Sequence, residues 1–139
     1  MELIPEIKNI ITKEDFKQGL VDIIFRKAKN REDFREYRSI KYIQVPSGVS
    51  CLEENAFKNC NKVTSIILPK SLKIIGGGAF SKCKSLIKIN IPKGVTSIKG
   101  HAFENCISLI ELIIPEKVTH IGSAAFSHCK ELINMNIPE

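Results

Sequence analysis

Five prolines, Pro46, Pro69, Pro92, Pro115 and Pro138, stand 23 residues apart. Four phenylalanines keep the same step, Phe57, Phe80, Phe103 and Phe126, and each follows an alanine: Ala56, Ala79, Ala102, Ala125. Cysteines repeat at Cys60, Cys83, Cys106 and Cys129. Aliphatic residues hold the register between them: Val49/Leu72/Val95/Val118, Leu52/Ile75/Ile98/Ile121, Val63/Leu86/Leu109/Leu132, Ile66/Ile89/Leu112/Met135 and Leu68/Ile91/Ile114/Ile137. A fixed period in the range of about 20–29 residues with aliphatic columns describes a chain that coils and stacks on itself. One coil is too short to shield its own apolar side. Stacking lays like residue on like residue, and the columns merge into one continuous core.

The parts of one coil follow from local chemistry. In Leu86-x-x-Ile89-x-Ile91 the last three residues alternate in and out, as in a β-strand. Proline ends the strand because it has no N–H to give to a ladder. A second short extended piece, Val95-x-x-Ile98, follows. The Ala-Phe pair with cysteine three positions on predicts one tight helical turn on the outer wall, with phenylalanine filling the widest part of the interior.

The pattern I-P-x-x-V-x-x-I-x-x-x-A-F-x-x-C-x-x-L-x-x-I resembles the BspA-like leucine-rich repeat over residues 46–138. That family occurs in bacteria and in several parasitic protists. The resemblance implies an α/β repeat solenoid, a curved right-handed leucine-rich-repeat horseshoe with short parallel β-strands and protein-binding character. Some members sit on cell surfaces and engage host proteins or matrix.

The period fades toward the start of the chain. Phe34, Ile40, Ile43 and Val45 keep their columns while Tyr37 replaces the expected cysteine, so residues 31–45 read as a degenerate half-repeat. Residues 1–30 do not match. There Thr12-x-x-Asp15 resembles a capping box, and Phe16, Leu20, Ile23, Ile24 and Ala28 follow at helical spacing. This predicts a helical cap over the first coil, with four full repeats following over residues 46–139. At the other end the repeats run to Glu139 with no polar capping segment, although an uncovered coil exposes core and strand edge. Either a longer array or end-to-end self-association through that coil is expected.

Composition narrows the function classes. No run of 18 apolar residues is present, so no membrane-spanning helix is expected. The start, Met1-Glu2-Leu3-Ile4-Pro5-Glu6, lacks a secretory leader, which makes a cytoplasmic location the default and a surface location dependent on a leader elsewhere. Net charge is +6, yet all eleven basic residues after position 45 are lysines without interleaved arginine, which argues for a solvated surface over a nucleic-acid site.

Stacked coils lie about 4.8 Å apart, within Cα reach for a disulfide, but side chains of one column point the same way and hold their Cβ atoms too far apart. The cysteine column is therefore expected as core thiols. A single column does not surround a metal tetrahedrally, so no metal is expected. Cys51 lies outside the column as the most accessible thiol. His101, His120 and His128 fall in three columns without a shared acidic partner. A nucleophilic pairing of His128 with Cys106 would need a core thiol, so no catalytic residue is assigned. Gly76-Gly77-Gly78 runs into Ala79-Phe80 and not Lys-Ser/Thr, which reads as a turn and not a phosphate loop. No cofactor is implied.

The functional clue lies between the inward strand positions. Tyr42 and Gln44, Ser65 and Ile67, Lys88 and Asn90, Glu111 and Ile113, Asn134 and Asn136 point to the solvent side of the sheet, the concave face of a horseshoe. Tyr42, Ile67 and Ile113 are apolar where water reaches, which points to a protein partner; β-propensity alone would also place them there. The expected function is non-enzymatic protein recognition through this face. The alternatives are a structural array segment, or weak polyanion binding by the coil of residues 69–91, with Lys70, Lys73, Lys82, Lys84, Lys88 and no acid.

Overall fold

Each 23-residue step carries two extended stretches, and each pairs with its equivalent in the next coil. The computed structural model describes residues 10–11, 41–45 and 47–136. The first extended stretch forms strands β2 (Tyr42–Gln44), β4 (Ser65–Ile67), β6 (Lys88–Ile89), β8 (Glu111–Ile113) and β10 (Asn134–Asn136). They pair parallel in the repeat register, Ile43 beside Ile66, Ile66 beside Ile89 and Leu112 beside Met135. The second stretch forms β3 (Cys51–Leu52), β5 (Ile74–Ile75), β7 (Ser97–Ile98) and β9 (His120–Ile121), again parallel, with Leu52, Ile75, Ile98 and Ile121 in line. The result is a parallel-strand solenoid with a six-stranded and a four-stranded sheet.

The sixth strand of the larger sheet is β1 (Ile10–Ile11), which the repeat pattern did not foretell. It pairs parallel with β2, Ile10 beside Tyr42, 32 residues apart and so out of phase with the repeat. It occupies a sheet edge that would otherwise present unpaired backbone groups. The helix expected from Thr12 to Ala28 and the half-repeat up to residue 40 lie outside the described residues. Among the described residues there is no helix.

The outer wall departs from the single helical turn expected. It is a run of i→i+3 turns in which Ala56, Lys58 and Cys60 donate to Glu53, Asn55 and Phe57. The alternate amides point along the solenoid: Asn55, Phe57 and Asn59 donate to the carbonyls of Gly77, Ala79 and Ser81 at 2.7–2.9 Å. Every backbone N–H of the stretch thus has a partner, as burial requires. This ribbon needs left-handed residues in two columns. One holds Asn55, Gly78, His101 and Ala124; the other holds Asn59, Lys82, Asn105 and His128, all with φ between 57° and 67°. A helix would have none. Asparagine and glycine suit that conformation; Ala124 carries a Cβ penalty there.

Inside, the phenylalanines form one stack. Phe57, Phe80, Phe103 and Phe126 lie with ring centroids 5.7, 5.1 and 5.5 Å apart and near-parallel planes. The first three are fully buried, as are Leu72, Ile75, Leu86, Val95, Ile98 and Leu109. Burying such a side chain stabilises by about 1.5–3 kcal/mol, and offset aromatic pairs add about 0.5–1.5 kcal/mol. The last described coil is less shielded: Phe126, Cys129 and Leu132 are half-buried, and Ile121 and Met135 are each 38% exposed.

Candidate binding face

Strand pleating sends Ile43, Ile66, Ile89 and Leu112 inward and their neighbours outward. Among the residues expected on the outer face, Tyr42, Gln44, Ser65, Ile67, Lys88, Asn90, Ile113 and Asn136 are exposed, and Glu111 is half-buried. The side chain of Asn134 lies outside the described residues. Register brings the exposed ones into two parallel columns: Tyr42, Ser65, Lys88 and Glu111 in one, Gln44, Ile67, Asn90, Ile113 and Asn136 in the other. Ile67 is 59% and Ile113 57% exposed, well beyond what an inward residue would show.

A third outward column escaped the sequence reading. Thr64, Ile87, Ile110 and Ile133 sit just before the strands, one above the other, and all are exposed, Ile133 at 79%. Their amides carry the ladder beyond the strands, Ile110 N–H to Ile87 O at 3.0 Å and Ile133 N–H to Ile110 O at 3.1 Å. The signal was present as a 23-residue repeat of isoleucine. It was passed over because strand alternation alone assigns this position inward, next to the true core residue. The middle column, polar from Ser65 onward, is thus flanked by two columns that carry isoleucine.

Where the strands of the last coils turn, an open groove of about 880 Å³ runs along the face. Asn90, Ile113 and Asn136 line it together with Lys93, Pro115, Glu116 and Lys117. A smaller recess of about 410 Å³ lies between β4 and β6, lined by Thr64, Ile67, Ile87, Lys88 and Asn90 among others. The turn that shapes these walls starts at the repeat proline: Pro69 O accepts from Leu72 N, Pro92 O from Val95 N and Pro115 O from Val118 N, each at 3.1 Å.

The cysteine column is interior. Cys60, Cys83 and Cys106 are buried, and burial pushes all three thiols far up from their ordinary range. Each thiol from Cys83 onward donates to the phenylalanine carbonyl of the preceding coil: Cys83 to Phe57, Cys106 to Phe80 and Cys129 to Phe103, at 3.1–3.3 Å. Those carbonyls already accept the N–H of the cysteine in their own coil, so the thiol is a second donor within a satisfied network. Cys51 is exposed at the first strand of the smaller sheet, away from this column.

The remaining candidates fall apart in space. His128 is exposed on the outer turn while Cys106 is buried beneath it, which does not suit a nucleophile–base pair. His101 does have an acid, Glu104, at 2.9 Å from Nδ1, through a local contact three residues on. Gly76-Gly77-Gly78 is a turn as expected, but its positions are not freely exchangeable. A Cβ on Gly76 would press into the backbone of Leu52 and Glu53, and Gly78 is left-handed. Among the described residues no cluster of His, Cys, Asp and Glu is placed to hold a metal, and no helix is long and apolar enough to cross a membrane.

Comparison with known proteins bears on the whole stack. The family model for the BspA type leucine-rich repeat region, with six copies, matches residues 29–139. A leucine-rich repeat protein from Bacteroides ovatus is 40% identical with a TM-score of 0.70, the match covering 73% of this chain and 26% of that one. A leucine rich cell surface protein from Faecalibacterium prausnitzii is 29% identical with a TM-score of 0.56, covering 69% and 31%. A leucine-rich repeat protein from Bacteroides capillosus, 24% identical with a TM-score of 0.60, covers 70% and 77% and shares the fold. The chain therefore spans about a quarter to a third of the first two structures. No curated protein matches it.

Proposed function

We propose, for a chain that belongs to the BspA-type leucine-rich repeat family, non-enzymatic binding of a protein partner through the outer face of its six-stranded sheet. The observation that carries this is the gathering of Tyr42, Ile67, Ile87, Ile110, Ile113 and Ile133 on one face, all exposed. Scattered exposed apolar residues need no explanation, but six on one face around grooves mark an interaction surface. On the right-handed horseshoe that the family implies, this face is concave. The phenylalanine centroids, 5.1–5.7 Å apart against about 4.8 Å between paired strands, are in keeping with that curvature. The same face serves a cytoplasmic chain or one at a cell surface, where the Faecalibacterium protein is described.

The test is a chain carrying Tyr42→Ser, Ile67→Asn and Ile113→Asn, compared with the unaltered chain in quantitative affinity capture. Loss of the captured partner, with unchanged circular dichroism and melting temperature, supports recognition by this face. Full retention removes it.

Two further readings each rest on one observation. Exposure of Ile121 and Met135, whose columns are otherwise at 0–4%, offers a face for another coil of the same pattern, whether in a longer array or a second copy. Mass in solution across a dilution series decides whether copies associate. The five lysines of residues 69–91, without an acid, favour an acidic polymer. That reading predicts retention on heparin that falls steeply with salt.

A further inference from the structure

The outward columns have a period of their own. Along the solenoid axis one column reads Gln44, Ile67, Asn90, Ile113, Asn136: carboxamide and isoleucine alternate from coil to coil. Its isoleucines therefore recur every second coil, about 9.6 Å apart given a strand spacing of about 4.8 Å. Between them, and at either end, stand amide groups that both donate and accept hydrogen bonds.

We propose that this column reads a polyproline-II segment laid along the solenoid axis, crossing the strands, with an apolar side chain at every third residue and acidic residues between. This rests on the binding-face reading above and specifies its ligand. A polyproline-II chain advances about 9.3 Å per three-residue turn, close to the two strand spacings that separate the backbones of Ile67 and Ile113. A β-strand repeats its same-face side chains every ~6.7 Å and falls out of step at once. A helix reaches the same face after seven residues, about 10.5 Å, and has no free backbone groups in its middle. Polyproline II has no internal hydrogen bonds, so its carbonyls and remaining N–H groups need partners. Asn90, exposed between the two isoleucines, stands where such a partner is required.

Size and charge select the same ligand. Five described coils, each with a strand and its extended flanks of roughly 15 Å, give a face of on the order of 400 Å², against about 800 Å² per partner for a stable protein–protein interface. Such a face accommodates a short extended segment. Lys88 rises from the middle column beside Glu111, and Lys93 and Lys117 flank the groove together with Glu116, so that three lysines stand against two acids around Asn90 and Ile113. Among the described residues none of these three ammonium groups is held in an ion pair. With a chain charge of +6, acidic residues between the apolar ones of the ligand are the complementary choice.

Fluorescence anisotropy on the full chain tests this with labelled synthetic peptides. The probe is (Leu-Pro-Glu)4. The comparisons are a shuffled peptide of the same composition with its four leucines at alternate positions of the first seven residues, a (Leu-Pro-Lys)4 peptide, and an acidic Leu-containing helical peptide without proline. The expected result is saturable binding of the first and at least tenfold weaker binding of the other three. Ile67→Asn with Ile113→Asn should weaken the first at least tenfold, and Asn90→Leu should weaken it several-fold, both with unchanged melting. If the shuffled or helical peptide binds as well as the first and the isoleucine variant still abolishes binding, the face is a binding site but the conformational proposal is wrong. If a peptide binds and the isoleucine variant leaves its affinity unchanged, the face itself is not the site. If no peptide binds, the proposal is overturned, and the capture experiment above decides separately on the face.

Discussion

The coil of residues 92–114 and the coil of residues 115–136 carry the same residue types in the same columns, yet they differ in what those residues experience. Phe103, Cys106, Leu109 and Ile98 are fully buried. Their equivalents Phe126, Cys129 and Leu132 are half-buried, and Ile121 is more than a third exposed. Residue identity is constant across the pair; what changes is a neighbour on the far side. Burial in this protein is thus a property of the stack, and energetic weight should follow position in the stack more than residue type.

The largest test of that comparison is deletion of one aromatic ring. Phe103→Ala leaves a cavity with rings on both sides and should cost about 3–5 kcal/mol. Phe126→Ala removes a side chain that water already reaches, and should cost roughly half of that or less. Chemical denaturation of the two variants checks it, and equal losses would break the comparison.

The thiols sharpen it through pH. Burial pushes up the thiols of Cys60, Cys83 and Cys106, while an unfolded thiol ionises near about 8.5. Above that pH the folded chain holds protons that the unfolded chain has released, so stability falls as pH rises. The slope is at most about 1.4 kcal/mol per thiol per pH unit. Urea unfolding between pH 8 and 9.5 should show Cys106→Ala with a flatter decline than the unaltered chain. Cys129→Ala, in the half-buried position, should change the slope less.

Glycines should erase the difference between the coils, because their constraint faces backward. A Cβ on Gly76 meets the carbonyl oxygen of Leu52, and one on Gly122 meets the backbone of Gly100. Both contacts are with the preceding coil, which the last coil has in full. Gly76→Ala and Gly122→Ala should therefore cost similar amounts, about 1–3 kcal/mol each, read from melting temperatures. The smallest effect has the opposite sign. Ala124, at φ 57°, holds a left-handed position that Gly78 fills two coils earlier. Ala124→Gly should stabilise by about 0.5–1 kcal/mol, whereas the same change at buried Ala125, whose φ is not positive, should destabilise.

Much of the architecture was legible in the sequence because a period survives any ignorance of local geometry. Proline, phenylalanine, cysteine and the aliphatic columns spaced at 23 residues already imply the ring stack, the larger parallel sheet and the interior thiols, whereas the second extended piece gave no sign of pairing into a sheet of its own. Local conformation was harder. Ala-Phe-x-x-Cys reads as a helical turn, but the ribbon of left-handed and right-handed residues satisfies the next coil's carbonyls as a helical turn would not. The strand Ile10–Ile11 lies off the period, so periodicity says nothing of it. On the candidate face, alternation placed Ile67 and Ile113 outward correctly. It overlooked Ile87, Ile110 and Ile133, since an outward residue directly before an outward first strand residue violates a period of two.

By itself the sequence settled the core columns and that like must stack on like, because a 23-residue coil has no other way to hide its apolar side. It also settled the family, through columns no other fold requires. Only the assembled stack decided how deeply each equivalent residue is shielded, which backbone positions must be left-handed, and that three columns on one face join into a single surface. Those properties belong to contacts between coils, about 23 residues apart in sequence and one strand spacing apart in space, and no coil carries them alone.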